Sequence, residues 1–271
     1  MTRRATRATA LVSALAILAG ATALAQRRPL FGGFQREPVT PKPTYDGKFS
    51  FARVKYATGP GGYYYCGGLP AWAHGYVSCR GGTRAELNLM KIMNEVSYLN
   101  AHIDESGVFA LDDPELSKYP VAYMTEAGYW TLTDKEAEAL RAYLGKGGFV
   151  IFDDFRSDFR GGGGWANFET NMQRVIPNAR FVDMDPTHPI FHSFFEIDSL
   201  DIIPQAYDQA KPNVRGLFED NDPRKRLMVI ANHSTDIAEY WEFSSTGFRP
   251  IGESNEAYKL GVNYIMYGLT H

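Results

Sequence analysis

Two adjacent carboxylates, Asp153 and Asp154, close a short apolar run, Phe149-Val150-Ile151-Phe152, that follows Gly147-Gly148. Neighbouring carboxylates are ligands for hard metal ions and serve as general acid-base groups. An unbroken run of β-forming residues of this length is expected to be a strand buried on both faces, as inside a parallel sheet covered by helices. In open α/β sheets ligands enter the crevice beyond the carboxyl ends of the strands, so the pair would stand at that crevice. A structural role competes with chemistry and is the commoner one. One carboxylate would cap the turn that follows, and the other would pair with Arg156 or Arg160.

His188 and His192, just after Asp183 and Asp185, form a second cluster. Four-residue spacing aligns two imidazoles only on a continuous helix, and Pro189 leaves His188 at a cap. Hydrogen bonds to nearby backbone are the expected role of these rings. His188 alone, brought across the crevice to Asp154, is the acid-base partner the sequence offers. Residues 161–164 are four glycines between a strand and a helix, preceded by Arg156 and Arg160 and followed by Trp165. Their amides could cradle an anion at the helix start. No phosphate-loop lysine follows, however, and a surface loop is the commoner outcome. Ser157 lacks the strained Gly-x-Ser-x-Gly setting of a nucleophile. The expected catalytic pair is thus Asp154 with His188. The expected ligand-binding set is Asp153, Arg156, Arg160, Gly162, Gly163 and Trp165. No metal ligands are assigned and no cofactor is expected; a divalent metal is the one group the paired carboxylates would suit.

The elements that must position these residues follow from periodicity. Residues 49–56 alternate apolar with small or charged side chains and are expected to be the first strand. Thr83-Arg84-Ala85-Glu86 has capping-box spacing, and Leu89, Ile92, Met93 and Val96 then make one face of a helix. Strands are expected at 108–111 and 120–125. A second capping box, Thr133 to Glu136, starts a helix ending at 145–148, and the central strand follows directly. Strand, helix, strand in this order requires a parallel pair with a right-handed crossover. A helix over 165–175, strands near 179–184, 214–218 and 227–232, and a largely apolar helix over 256–269 complete the chain.

At the N-terminus Arg3, Arg4 and Arg7 precede an apolar stretch over 10–19, and Ala23-Leu24-Ala25 supplies a small-x-small cleavage pattern. Residues 1–25 are therefore expected to be a signal peptide cut after Ala25, with the mature chain periplasmic or secreted. The apolar stretch is short of the ~20 residues a spanning helix needs, and no second run is longer, so no membrane span is expected in the mature chain. Residues 26–48, with four prolines and no apolar period, read as a linker or arm, leaving 49–271 as a single domain. In an exported protein the two cysteines, Cys66 and Cys79, are expected to pair. They flank a glycine-tyrosine stretch that reads as a surface loop pinned by that bridge, in preference to a ligand-binding loop. A net charge of -3 gives no basic footprint for nucleic acid.

Several motifs in this order resemble a bacterial family, the domain of unknown function 4159 family. They are Arg53-Val54-Lys55-Tyr56, Glu86-Leu87-Asn88-Leu89, Tyr119-Pro120, Leu140-Arg141-Ala142-Tyr143-Leu144, Gly147-Gly148-Phe149 with Asp153-Asp154, His188-Pro189-Ile190-Phe191 and Leu260-Gly261-Val262-Asn263. The resemblance implies a doubly wound α/β fold, a mostly parallel sheet with helices on both faces, of flavodoxin-like or class I glutamine-amidotransferase-like type. Active amidotransferases carry a cysteine nucleophile on the turn after the central strand. Here Phe155-Arg156-Ser157 occupies that place, so glutaminase activity is not expected. The leading expectation is a non-catalytic module that binds a small ligand or an envelope protein; the alternative is a hydrolase using Asp154 and His188.

Overall fold

The structure is a computed structural model that describes residues 35–77, 84–155, 164–201, 203 and 211–271. Its strands in chain order are β1 (Ala52–Lys55), β2 (Ala57–Thr58), β3 (Tyr63–Tyr65), β4 (Leu69–Pro70), β5 (Gly107–Ala110), β6 (Val121–Thr125), β7 (Trp130–Thr131), β8 (Phe149–Phe155), β9 (Val182–Asp183), β10 (Asn213–Phe218) and β11 (Leu227–His233). The helices are α1 (Ala85–Val96), α2 (Asp134–Gly145), α3 (Gly164–Val175), α4 (Ile237–Glu242) and α5 (Ile251–Thr270).

Seven strands make one sheet in the order β5-β1-β6-β8-β11-β10-β9. The first five run parallel, and β10 and β9 add an antiparallel margin. Taken in chain order, the parallel strands are arranged 2-1-3-4-5, the flavodoxin-like winding, whose switch point lies between β1 and β6. Residues along β8 alternate between the two faces. Val150 and Phe152 join a core with Leu140, Leu144, Phe168 and Met172 of α2 and α3. Phe149 and Ile151 join the opposite core, with Leu89, Met93, Val262 and Ile265 of α1 and α5. All seven residues of β8 are buried, as expected for a strand covered on both sides.

Local signals account for most boundaries. Thr133 and Glu136 form the complete capping box of α2, each satisfying a backbone amide of the other. Thr83, expected to open the first capping box, lies outside the described residues. α1 begins at Ala85 after Arg84, which makes no side-chain cap, and the Glu86 carboxylate is bound by Arg53. The strand expected over 179–184 shrinks to Val182–Asp183, and the last helix starts earlier, at Ile251. In α5, Gly261 lies where a Cβ would come 2.6 Å from Trp241, and this lets α4 seat against α5. Among the described residues no helix is long and apolar enough to cross a membrane.

Over its described residues the glycine-tyrosine stretch is folded onto the domain by two short strand pairs. β2 pairs with β7 and β3 with β4, and Leu69, Ala71, Trp72, Ala73 and Tyr76 are buried in the core beside α2 and α3. Cys79, and with it the expected pairing to Cys66, lies outside the described residues. Ahead of β1, residues 36–48 have no regular structure but lie along the domain. The Arg36 amide donates to Gly68, the Val108 amide on edge strand β5 donates to Pro41, and the Tyr63 hydroxyl donates to Glu37.

Candidate functional site

At the carboxyl ends of β6, β8 and β11 stand non-glycine residues with left-handed backbone: Glu126 (φ 52°) just after β6, Asp154 (φ 57°) one residue before the end of β8 and Ser234 (φ 58°) just after β11. Such conformations cost about 1–3 kcal/mol each and persist where the surroundings fix them, often at functional sites. Along β8 and β11 the register runs Phe152 to Ala231 and then Phe155 to His233. Two β8 residues, Asp153 and Asp154, therefore face the single intervening residue Asn232, which makes a bulge. The extra residue separates the two carboxylates and sends them to different tasks.

Asp153 turns into the fold. It accepts from the Tyr123 hydroxyl (2.8 Å), Asn232 Nδ2 (3.0 Å) and the amides of Ile237 (3.3 Å) and Ala238 (3.1 Å), so it ties the start of α4 to the sheet. Burial pushes its carboxyl up to about 6, with the Asp154 charge adding and the Tyr123 and Asn232 hydrogen bonds opposing.

Asp154 turns toward the crevice, where its Oδ2 meets His74 Nδ1 at 2.5 Å. His74 follows a 3-10 turn at Ala71–Ala73, which hangs on the guanidinium of Arg53. Nη1 of Arg53 donates to the carbonyls of Trp72 (3.1 Å) and His74 (2.8 Å), while Nη2 and Nε bind the Glu86 carboxylate. Arg53 and Glu86 are both fully buried, so β1 places a hidden ion pair under the loop as its anchor. The imidazole is also 3.8 Å from Glu126 Oε1 and 4.0 Å from Asp236 Oδ2. Glu126 accepts from the Tyr64 hydroxyl, and the Tyr65 ring packs on the imidazole with centroids 4.5 Å apart. Burial works against the charge of His74, yet Asp154, by charge and hydrogen bond, together with Glu242 and Glu239, holds its pKa above the ordinary value.

Further carboxylates complete the wall. Asp236 caps α4 through Oδ1 to the Glu239 amide (2.9 Å), while its Oδ2 is buried without a hydrogen-bond partner among the described residues. Glu239 Oε2 and both oxygens of Glu242 are likewise buried and unpaired among those residues. Burial, then the charges of Asp154 and Asp153, hold Asp236 well above the usual range, and burial raises Glu239. Burial pushes Glu242 up to about 7, against the pull of His74 and Arg53. Beside this cluster lies a cavity of about 700 Å³, lined by His74 and Glu239 and by the rings of Tyr64, Tyr65, Phe243 and Phe248.

The structure does not bring His188 to this place. Its ring packs against Phe218 and Tyr267, and its Nδ1 accepts from the Ile190 amide. Phe218 pairs with Leu227, the first residue of β11, so His188 stands beside the strand starts, with the length of β8 between it and Asp154. His192 is held by Glu196 and the Pro186 carbonyl. Trp165 is a mostly buried side chain against Phe155 and Phe168, with the Arg215 guanidinium over its ring. Arg156, Arg160, Gly162 and Gly163 lie outside the described residues.

Sequence reasoning missed His74, Glu126, Asp236, Glu239 and Glu242. One signal was available: Asp236 and Glu239 have the spacing of a helix start, and Asp236 does cap α4. Nothing local marked His74 or Glu126.

A family model described as "Domain of unknown function (DUF4159)" matches residues 51–269. No curated protein matches the chain.

Proposed function

The chain belongs to the DUF4159 family, whose description assigns no activity, and from that premise we propose that the protein is an envelope binding module that captures a positively charged ligand in this crevice. One observation carries the reading. Asp236, Glu239 and Glu242 each hold buried carboxylate oxygens with no hydrogen-bond partner among the described residues, beside a cavity whose lining contains a single basic group, His74. Arg53 is nearby, but its charge is committed to Glu86. An unpaired buried carboxylate costs several kcal/mol, so this arrangement suits an incoming cation far better than an empty pocket. The rings of Tyr64, Tyr65, Phe243 and Phe248 add faces on which a cation or its apolar body can rest. The reading includes export: the leader removed after Ala25, the chain acting in the periplasm or outside the cell on a small ligand or an envelope partner, and Cys66 joined to Cys79. Intact-mass spectrometry of the exported protein reads the cleavage and the bridge together.

The test is a thermal-shift screen at pH 8 with matched ionic strength. Inorganic cations, spermidine, arginine and choline stand on one side, and citrate and phosphate on the other. A ligand at about 100 times its Kd stabilises by about 2.7 kcal/mol, a shift of several degrees. Stabilisation by at least one cation and by no anion is expected. Stabilisation by anions alone, or by nothing in the screen, overturns the reading.

A hydrolase is favoured by one separate observation. Asp154 accepts from Nδ1 of His74, which leaves Nε2 directed away from the carboxylate on a ring that lines the cavity, the arrangement of a carboxylate-oriented general base. The raised pKa of His74 favours the charged ring and leaves less of the neutral form to act as a base, which is why binding is placed first. Turnover of any ester or amide that is lost in His74→Gln would reverse that order.

A further inference from the structure

We propose that the cation is a first-row divalent metal ion, zinc or manganese, held by His74 Nδ1, Glu126 Oε1, Asp154 Oδ2 and Asp236 Oδ2. The proposal rests on the cation-binding reading and names the ion. Ligand atoms of His74, Glu126 and Asp154 all lie within 4.8 Å of one another. Asp236 supplies the independent observation. Its side chain is 1 % exposed, its Oδ1 is spent on capping α4, and its Oδ2 has no hydrogen-bond partner among the described residues while standing 4.0 Å from His74 Nδ1.

Donors that share one ion at about 2.0–2.2 Å are roughly 3–4 Å apart. The separations from His74 Nδ1 to Glu126 (3.8 Å) and to Asp236 (4.0 Å) already fall there. The third, to Asp154, is 2.5 Å because a proton joins the two groups. An ion entering the site displaces that proton, and the pair opens by about 0.5–1.5 Å. The four donors come from four places, the 3-10 turn, the ends of β6 and β8 and the cap of α4, so the fold closes around the ion instead of a single flexible loop. Outer contacts that would orient the ligands are present as well. Arg53 fixes the His74 carbonyl, and the Tyr64 hydroxyl binds Glu126 Oε1.

One imidazole with three carboxylates is a borderline-hard set. It suits zinc or manganese better than copper(I), which seeks thiolates and thioethers, or calcium, which takes six to eight oxygens. The cavity beside His74 then leaves one side of the ion open to a ligand.

The experiment is isothermal titration calorimetry of ZnCl2 and of MnCl2 into chelator-treated full-length exported protein. It is repeated with Asp236→Asn and His74→Gln, each checked for folding by circular dichroism and thermal melting. Asn caps a helix as well as Asp does, so the first variant keeps α4 while removing a charged ligand. One ion per chain is expected, with proton release seen as a dependence of the heat on buffer, and affinity at least about tenfold weaker in each variant. Binding that neither variant weakens, or no binding of either metal, overturns the proposal. In the second case spermidine, arginine and choline decide the wider reading. If one of them binds, the cation site stands without a metal; if none does, both fall.

Discussion

Glu242→Gln removes a charge that the folded protein holds at a disadvantage. The side chain is fully buried, and neither oxygen has a hydrogen-bond partner among the described residues. In the unfolded chain the carboxyl ionises near 4.5, and in the folded protein burial pushes it up to about 7. Below pH 4.5 the group is protonated in both states and contributes nothing. Between 4.5 and 7 the folded state binds more protons than the unfolded one, so stability falls as pH rises, and above 7 the whole penalty is present. At about 1.4 kcal/mol per pH unit the penalty is about 3 kcal/mol. Solvent reaching the adjacent cavity screens part of it, and about 2 kcal/mol is the expected gain. For a domain of this size that raises Tm by roughly 4–8 °C. Urea unfolding of chelator-treated protein at pH 8.5 and at pH 4.5 is the assay. Glu242→Gln should be more stable than the parent at the higher pH and equal to it at the lower. A gain of the same size at both, or none at pH 8.5, would refute the reasoning that an unpaired charge stands at this wall.

Asp153→Ala, next to the crevice, should act in the opposite direction. It strands the Tyr123 hydroxyl and two α4 amides in the interior, each at about 1–3 kcal/mol, so a loss of more than 3 kcal/mol in urea unfolding is expected. Arg53→Met leaves Glu86 buried without its partner and should cost about 3–5 kcal/mol, whereas Arg53→Met with Glu86→Leu should recover most of it. The double variant should still lose cation affinity, because the loop carrying His74 has lost its anchor; retention of full affinity would show that Arg53 does not position that loop.

What the sequence could reveal depended on how far apart the cooperating residues lie. The β8 strand, the α2 capping box and the inner face of α5 are written in residues a few positions apart, and each was legible. His74 and Asp154 are 80 positions apart, and what joins them is the winding of β1 next to β6. No local period records that. The misplacement of His188 has the same origin. A segment leaving a strand can return to either edge of a sheet, and here the one after β9 packs His188 against Phe218 and Tyr267, beside the start of β11. The bulge at Asp153 and Asp154 was equally hidden, because it depends on what β11 offers opposite them.

The arm along β5 bears on where the protein can be divided. An exposed edge strand is a template for another chain, and here residues 36–48 cover that edge, with Pro41 taking the Val108 amide and Lys42 reaching Asp113. The segment shared with the family begins only at residue 51. A fragment cut at that boundary would bare the β5 ladder and free Gly68 and Tyr63 from Arg36 and Glu37. It should form self-adhesive material more readily than a fragment starting at 36. The unit that recurs is shorter than the unit that keeps to itself.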